Sequence, residues 1–337
     1  MQQINGSGKA RPDTRRVCRV RNSQPPDRDA SKCFSLWSLV TGVQPLHRMQ
    51  TMLIDELLRP YQNKRVFYFP NPGNAGDSVI AAATMQAFRR NGITFEEMKS
   101  DSPVDGEVVF LGGGGNFIPL YTGMQWAMGD VHQRAKEVIL LPHIVRGNED
   151  ILGKLGSNVT IICREIESYR HMVQNTARCN VALGHDMAFH LDPEEITRSI
   201  SDVRALEDTF NKRLLDYKVT RNRITDPEVA VFARRDGEST GQLQDGTIDI
   251  SDAYAYGCGP GNAERATWCF IHAIRLARAV RTDRLHIGIV AAILNKTCEL
   301  MDNSYGKNAA IYEHSIKNYF PHVRTSARPH VRMPKAQ

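Results

Sequence analysis

The sequence contains few cysteines, and no two of them form a C-x-x-C pair. Seven cysteines are scattered over 337 residues, at positions 18, 33, 163, 179, 258, 269 and 298. An odd number of isolated cysteines argues against a disulfide framework and against a structural zinc site. The histidines also lack a spacing typical of metal ligands, so no metal site is predicted. We expect the chain to reside in a reducing compartment, the cytoplasm.

Long apolar runs are missing as well. The longest, from Cys33 to Val43, is broken by Ser and Thr and is far too short to span a bilayer. The sequence therefore predicts neither a signal-peptide core nor a membrane span.

A charge excess is absent from most of the chain. The net charge is +6, and residues 1–48 carry nine Lys and Arg against three Asp, so residues 49–337 sum to zero. Residues 49–337 carry no net charge, and the basic residues of 1–48 are not interleaved with aromatics. Both features argue against nucleic-acid binding. Residues 1–48 are expected to be a disordered extension, or upstream sequence that is not normally translated. The alternative is a weak tether to an anionic lipid or polymer.

Strand, loop and helix patterns alternate along the rest of the chain. Short apolar runs predict strands at 65–69, 107–111, 137–141, 159–163, 181–183 and 228–233. Periodic segments predict helices at 48–62, 78–91, 203–217 and 261–280. This rhythm predicts an α/β fold with parallel sheets and helices on both faces. The expected limits are a domain at 49–195, a linker with a helix at 196–227, a domain at 228–325 and a tail at 326–337.

Two glycine-rich loops follow predicted strands. The segment 73–77, Gly-Asn-Ala-Gly-Asp, could expose backbone N–H groups to an anion at a helix start, although Asp77 taken alone is better explained as a helix cap with no other role. It is neither a dinucleotide fingerprint nor a Walker loop. Four glycines at 112–115 suggest close approach of the backbone to a ligand or to the opposite domain.

Charged side chains follow other strands, where ligands of such sheets bind. Arg164 could hold a carboxylate or phosphate, or pair with Glu165 or Glu167. A second group lies near the chain end, where His286 precedes a small apolar helix and Lys307 lies on a glycine loop. These two cations could converge on one anion, which indicates a site for a phosphorylated or carboxylated small molecule.

Six motifs in this order resemble the polysaccharide pyruvyl transferase family over roughly residues 64–320. They are Gly-Asn-Ala-Gly-Asp77, Leu-Gly-Gly-Gly-Gly-Asn116, Cys-Arg-Glu-Ile-Glu-Ser168, His-Asp-Met-Ala-Phe189, Arg-Leu-His286 and Asp-Asn-Ser-Tyr-Gly-Lys-Asn308. The resemblance implies two Rossmann-like domains facing a cleft, as in GT-B glycosyltransferases. It also implies phosphoenolpyruvate as donor, a sugar diol as acceptor, a pyruvate ketal as product, and no metal or other cofactor. One departure is Leu-His-Ile-Gly288, where relatives often have Leu-His-Gly.

The resemblance implies roles for Asp77, Arg164, His286 and Lys307, and the other polar or glycine residues of these segments are expected to complete the site. Asp77 and His286 are the expected catalytic residues. The expected donor-binding residues are Arg164, His286, Lys307, Gly113, Gly114 and Asn116. The expected acceptor-binding residues are Asn74, His185, Asp186, Arg234, Asn303, Ser304 and Tyr305.

Two other functions remain open from the sequence. One is a GT-B glycosyltransferase that uses a nucleotide sugar, and the other is a non-catalytic scaffold of polysaccharide biosynthesis. The acceptor, either a polymer or a lipid-linked oligosaccharide, and the oligomeric state cannot be read from the sequence. A lipid-linked acceptor would imply peripheral contact with the inner face of the membrane.

Overall fold

The larger of two parallel sheets has seven strands. The computed structural model describes residues 51–243 and 248–326, so the basic segment 1–48 lies outside the described residues. The strands are β1 (Arg65–Phe69), β2 (Thr94–Glu97), β3 (Val108–Leu111), β4 (Gly114–Phe117), β5 (Glu137–Val145), β6 (Val159–Cys163) and β7 (Asn180–Leu183). Their order is β2-β1-β3-β5-β6-β7, and β4 pairs with the far end of β5.

The second sheet has four strands within the described ranges. They are β8 (Val229–Phe232), β9 (Ala279–Thr282), β10 (Cys298–Leu300) and β11 (Val323–Thr325), in the order β11-β10-β9-β8. Within the described residues, the strand pairings of both sheets are parallel. The predicted α/β fold with parallel sheets and flanking helices is confirmed. The strands of the two sheets occupy residues 65–183 and 229–325, while the domain limits themselves stay predictions.

Helices cover the sheets. They are α1 (Ile54–Leu58), α2 (Ala75–Arg90), α3 (Gly123–Val131), α4 (Glu149–Leu152), α5 (Ile166–Asn175), α6 (Pro193–Ser199), α7 (Val203–Asp216), α8 (Asn222–Thr225), α9 (Ile250–Ala253), α10 (Asn262–Leu276), α11 (Leu285–Ile293) and α12 (Lys307–Ile311). Shorter turns occupy Arg59–Tyr61, Met187–His190 and Tyr312–Ile316. Within residues 51–243 and 248–326, no helix has the length and apolarity to cross a bilayer.

Several predicted elements were wrong in extent. The helix predicted at 48–62 is only α1 followed by a 3-10 turn that carries Pro60. The helix predicted at 261–280 ends at Leu276, because Ala277 is extended and Ala279 begins β9. Strand β2 was missed because it is an exposed edge strand with two glutamates, a common way to protect a sheet edge.

A shared apolar core joins the two halves. Helix α2 packs against α10, and the consecutive alanines at 81–83 are buried. One core cluster contains Phe88 and Phe110 from the first half together with Phe270 and Ile274 from the second. Since such interiors are close-packed, this core fixes the start of α2 relative to the strand ends of both sheets.

Candidate functional site

A cavity of about 170 Å³ lies between the carboxyl ends of the two sheets. It brings together seven residues that the sequence predicted for the site, namely Asn74, Asp77, Asn116, Arg164, Arg234, His286 and Lys307. It is also lined by residues that the sequence analysis did not assign, including Gly115, Tyr121, Glu238, Ser251 and Arg284. A larger cavity of about 490 Å³ lies between α7 and the start of α10. None of the six motifs lines it, so the smaller cavity is the candidate site.

Asp77 forms the first wall of the cavity and also caps α2. Its Oδ2 accepts the backbone N–H of Asn74 at 2.9 Å, while Oδ1 of Asn74 accepts the N–H of Gly76 at 2.8 Å. This reciprocal arrangement is a capping box, so the cap expected for Asp77 is confirmed. Burial raises the pKa of Asp77, opposed by the positive charge of His286 and by the N–H of Asn74. A carboxyl of this kind can carry a proton that it delivers to a ligand.

The four glycines approach protein atoms closely. A Cβ at Gly113 would lie 2.9 Å from the carbonyl oxygen of Pro142, and one at Gly114 would lie 2.5 Å from Nδ2 of Asn71. Neither glycine lines the cavity, so the structure does not bring them together with the other predicted donor-binding residues. Gly115 does line it, and a Cβ there would lie 2.7 Å from a terminal nitrogen of Arg164. Gly115 therefore leaves room for the arginine.

Arg164 follows β6 and is buried, with 1% of its side chain exposed. Its guanidinium forms an ion pair with Asp186, which is fully buried. The alternative pairing with Glu165 or Glu167 was wrong, because both glutamates bind Arg146 instead. Burial alone would raise the pKa of Asp186, but Arg164 and then His286 hold that pKa well below its usual range. Arg164 therefore has a permanent counter-ion behind the cavity wall.

His286 lies in the first turn of α11 and faces the start of α2. Its Nε2 is 3.6 Å from Oδ2 of Asp186, and that nitrogen is buried without a hydrogen-bond partner among the described residues. A Cβ at Gly76 would lie 2.4 Å from Nδ1, so the imidazole packs against the glycine. The displaced glycine of this motif, Gly288, packs against Leu300 instead of lining the cavity.

Lys307 and Arg234 form the opposite wall around one carboxylate. Nζ of Lys307 donates to Oε2 of Glu238 at 2.7 Å, and Arg234 donates to the same oxygen. Asn303 donates to it at 3.2 Å, while the hydroxyl of Tyr121 donates to Oε1 at 3.0 Å. Burial lowers the pKa of Lys307 to about 8, although Glu238 opposes the shift. Glu238 thus occupies an anion site made of four donors.

Arg284 extends this charge network. It pairs with Asp249, and its second terminal nitrogen lies 2.8 Å from Asp236. Asp236 also lies 3.4 Å from Nε of Arg234. Every cation of the cavity wall is therefore matched by a nearby carboxylate.

Several predicted acceptor-binding residues do not line the cavity. Nδ1 of His185 lies 2.9 Å from the hydroxyl of Ser315, and its ring stacks on His314. Asn303 is buried behind Glu238, and Ser304 is exposed. Tyr305 lies beside Lys307, with Nζ 5.4 Å from the ring centroid. These residues support the wall of the site from behind or lie outside it.

The sequence signal for the residues that were missed is weak. Glu238 follows β8 within the polar run 234–238, so the position of that run at a strand end was a usable signal. Tyr121 carries no such signal, and Arg284 could have been found only as the first residue of the Arg-Leu-His286 motif, since neither stands directly after a strand that the sequence predicted. Among the described residues, no group of three or more His, Cys, Asp or Glu is arranged to hold a metal ion.

The comparisons with known proteins agree with this geometry. The model of the family "Polysaccharide pyruvyl transferase" matches residues 74–305 of the chain. A Bacillus subtilis (strain 168) protein named "Putative pyruvyl transferase EpsO" is 25% identical over 305 residues, which cover 79% of this chain and 89% of that protein. The crystal structure of a functionally uncharacterised protein from Klebsiella pneumoniae is 28% identical, with a TM-score of 0.67. The matched region covers 84% of this chain and 100% of the Klebsiella pneumoniae chain.

Proposed function

The chain belongs to the polysaccharide pyruvyl transferase family, and we propose that it transfers the pyruvyl group of phosphoenolpyruvate to two hydroxyls of one sugar residue. The products are a pyruvate ketal and phosphate. The observation that carries this proposal is the cavity in which Asp77, Arg164, His286 and Lys307 converge from both halves of the molecule. The sugar belongs to a polysaccharide or to its lipid-linked precursor.

The donor needs several cations in a restricted space. Phosphoenolpyruvate carries about three negative charges near neutral pH, and charge-assisted hydrogen bonds are the strong ones in such a cavity. Arg164 and Lys307 bind its carboxylate and phosphate in this proposal. Nε of Arg164 is buried without a hydrogen-bond partner among the described residues, which supports a role in holding ligand atoms.

The proposed reaction begins with a proton. A proton added to the methylene carbon C3 of the donor makes C2 electrophilic, and the first sugar hydroxyl attacks C2 as it loses its own proton. The oxygen of the second hydroxyl then forms a bond to C2 while the bond from C2 to the phosphate oxygen breaks. The second hydroxyl proton leaves with phosphate or with a base. Two protons come from the sugar, one enters the new methyl group, and the other balances the phosphate.

In this proposal Asp77 and His286 move these protons. The raised pKa of Asp77 favours its protonated form, so we assign it the delivery of the proton to C3. His286 contacts the phosphate and accepts or returns a proton there, steadied by Asp186 at 3.6 Å. General acid and base help of this type is typically worth ~10²–10⁴-fold in rate.

Titration calorimetry with phosphoenolpyruvate tests the donor site. Lys307→Met is the informative variant, because Arg164 has a structural partner whose loss would disturb the fold. Lys317→Met is the matched control, since Lys317 also pairs with a glutamate, at 2.8 Å, but lies on the surface. We expect the wild type and the control to bind the donor and the Lys307 variant to bind at least about tenfold more weakly.

A coupled phosphate-release assay tests the reaction itself. Phosphate should appear only when phosphoenolpyruvate and a sugar with a suitable pair of hydroxyls are both present. Binding of a nucleotide sugar in place of phosphoenolpyruvate would contradict the proposal and favour a glycosyltransferase.

A further inference from the structure

Three exposed apolar side chains lie near the cavity, two on the segment that joins β4 to α3 and one on α3 itself. Leu120 is 65% exposed, Tyr121 37% and Trp126 49%. These three side chains lie within seven positions of the sequence. The other exposed large apolar side chains among residues 51–243 and 248–326 are dispersed along the sequence, namely Val173, Val203, Leu215 and Val229. A cluster of this kind on a protein surface generally marks a binding site.

The cluster is continuous with the cavity. Tyr121 lines the cavity, and its hydroxyl donates to Glu238, which in turn holds Lys307. Trp126 packs on Phe69 at the end of β1, with ring centroids 6.5 Å apart. The loop after Phe69 leads to Pro72 and Gly73, which line the cavity from the same edge of the sheet. A ligand chain leaving the cavity at this edge would therefore meet both aromatic rings.

The charge of the segment indicates what the cluster binds. Residues 118–131 contain no Lys or Arg and one acidic residue, Asp130. An anionic membrane surface attracts basic residues, which this segment lacks. A neutral pyranose ring fits better, because it presents an apolar C–H face to an aromatic ring and hydroxyls to polar groups at the rim.

We propose that Leu120, Tyr121 and Trp126 form a sugar platform that binds the acceptor residue next to the one that receives the pyruvyl group. The proposal rests on the proposed function in that the acceptor is a chain of sugars. Tyr121 lies one side chain away from Lys307 and contacts the reacting sugar, while Trp126 and Leu120 lie further out and stack on its neighbour. The platform therefore favours a disaccharide over a monosaccharide with the same reacting group.

Saturation-transfer NMR measures this binding without turnover. The probes are methyl glycosides of galactose, glucose, mannose and N-acetylglucosamine, and the disaccharides lactose, cellobiose, mannobiose and chitobiose. Trp126→Ala and Leu120→Ala are the test variants. Leu215→Ala is the matched control, because Leu215 is 63% exposed on α7, away from the cavity.

We expect at least one disaccharide to bind the wild type and the Leu215 control equally. Its dissociation constant should rise about 3- to 10-fold in the Trp126 variant, the range expected for losing one aromatic contact. Phosphoenolpyruvate binding, measured by calorimetry, should be unchanged in both test variants. In another outcome, phosphoenolpyruvate binds none of these proteins while the disaccharide results are as expected. That outcome would refute the donor assignment and leave the platform in place.

Three outcomes would overturn the platform. The first is that no probe binds the wild type, and the second is equal sugar binding by the wild type and both test variants. The third is self-association of the wild type, seen by light scattering and abolished by Leu120→Ala, which would make the cluster a contact between copies of the chain. If phosphoenolpyruvate still binds in any of these cases, the proposed donor site survives.

Discussion

The buried pair between Arg164 and Asp186 leads to a prediction about stability as well as binding. Their side chains are 1% and 0% exposed, so solvent hardly screens either charge. Removing Asp186 leaves Arg164 without its buried ion partner, and removing Arg164 leaves Asp186 with only His286 and the N–H of Ala188, at a cost of about 3–5 kcal/mol. Arg164→Met alone, or Asp186→Asn alone, should therefore lower the melting temperature by roughly 6–20 °C.

The double variant separates structure from function. Arg164→Met together with Asp186→Asn removes both charges, and replacing a buried ion pair by neutral groups is often close to neutral in stability. Asparagine retains an oxygen for the N–H of Ala188, which Asp186 accepts at 2.9 Å. We expect the double variant to regain most of the lost melting temperature while phosphoenolpyruvate binding stays absent.

Thermal unfolding followed by circular dichroism, with calorimetric titration on the same samples, measures both quantities. The four proteins form a double-mutant cycle, in which a coupling energy well above about 0.5 kcal/mol reports the pair. Two results would refute the reasoning. One is additive destabilisation by the two substitutions, and the other is wild-type donor affinity in a variant that lacks Arg164.

Three further perturbations have distinct expected outcomes. Gly76→Ala would place a Cβ 2.4 Å from Nδ1 of His286 and displace the ring. Phosphate release should fall about 10²-fold, and the melting temperature should not rise, because the added methyl group crowds the imidazole ring; full activity would contradict the contact. Donor affinity should weaken as pH rises through about 8, where Lys307 loses its proton in the free protein, by about tenfold per pH unit. Lys307→Arg should flatten that calorimetric profile, and an unchanged profile would remove Lys307 from the donor site. Asp77→Asn retains an acceptor for the N–H of Asn74, so stability should stay within about 1 kcal/mol while turnover falls ~10²–10⁴-fold; wild-type turnover would remove Asp77 from the chemistry.

Much of the fold and of the site could be predicted from the sequence, because ligands of parallel sheets bind beyond the carboxyl ends of the strands. Buried strands such as β1, β5 and β6 are continuous apolar runs, and polar residues after them stand out. Because all strands of a sheet are parallel, residues that follow different strands meet at one edge. This rule alone brings Asp77 and Arg164 to the same cavity.

The ion partner of Arg164 could not be predicted in this way. Its neighbours in sequence, Glu165 and Glu167, were the natural candidates for a salt bridge. The actual partner is set by the register of β6 and β7, in which Cys163 pairs with Leu183 and brings the residues after each strand side by side. Register depends on packing of both sheet faces and is not visible in single segments.

The carboxylates of the site explain how so many cations can surround a small cavity. Arg164, Arg234, Arg284 and Lys307 line a space of about 170 Å³, and without counter-charges their mutual repulsion and desolvation would oppose folding. Asp186 and Asp249 are buried at 0% and 1% exposure and stay paired with arginines. They therefore act as fixed counter-ions.

Glu238 differs from these fixed counter-ions because it faces the cavity and holds Lys307 directly. A donor that binds Lys307 must either share the ammonium group with Glu238 or displace Glu238, because both anions bind the same group. The same contact opposes the burial that lowers the pKa of Lys307, so it keeps the lysine charged near neutral pH until the donor arrives. Sequence motifs point to the cations that we propose bind the donor. The charged state of those cations depends on carboxylates such as Glu238, whose role only the three-dimensional arrangement reveals.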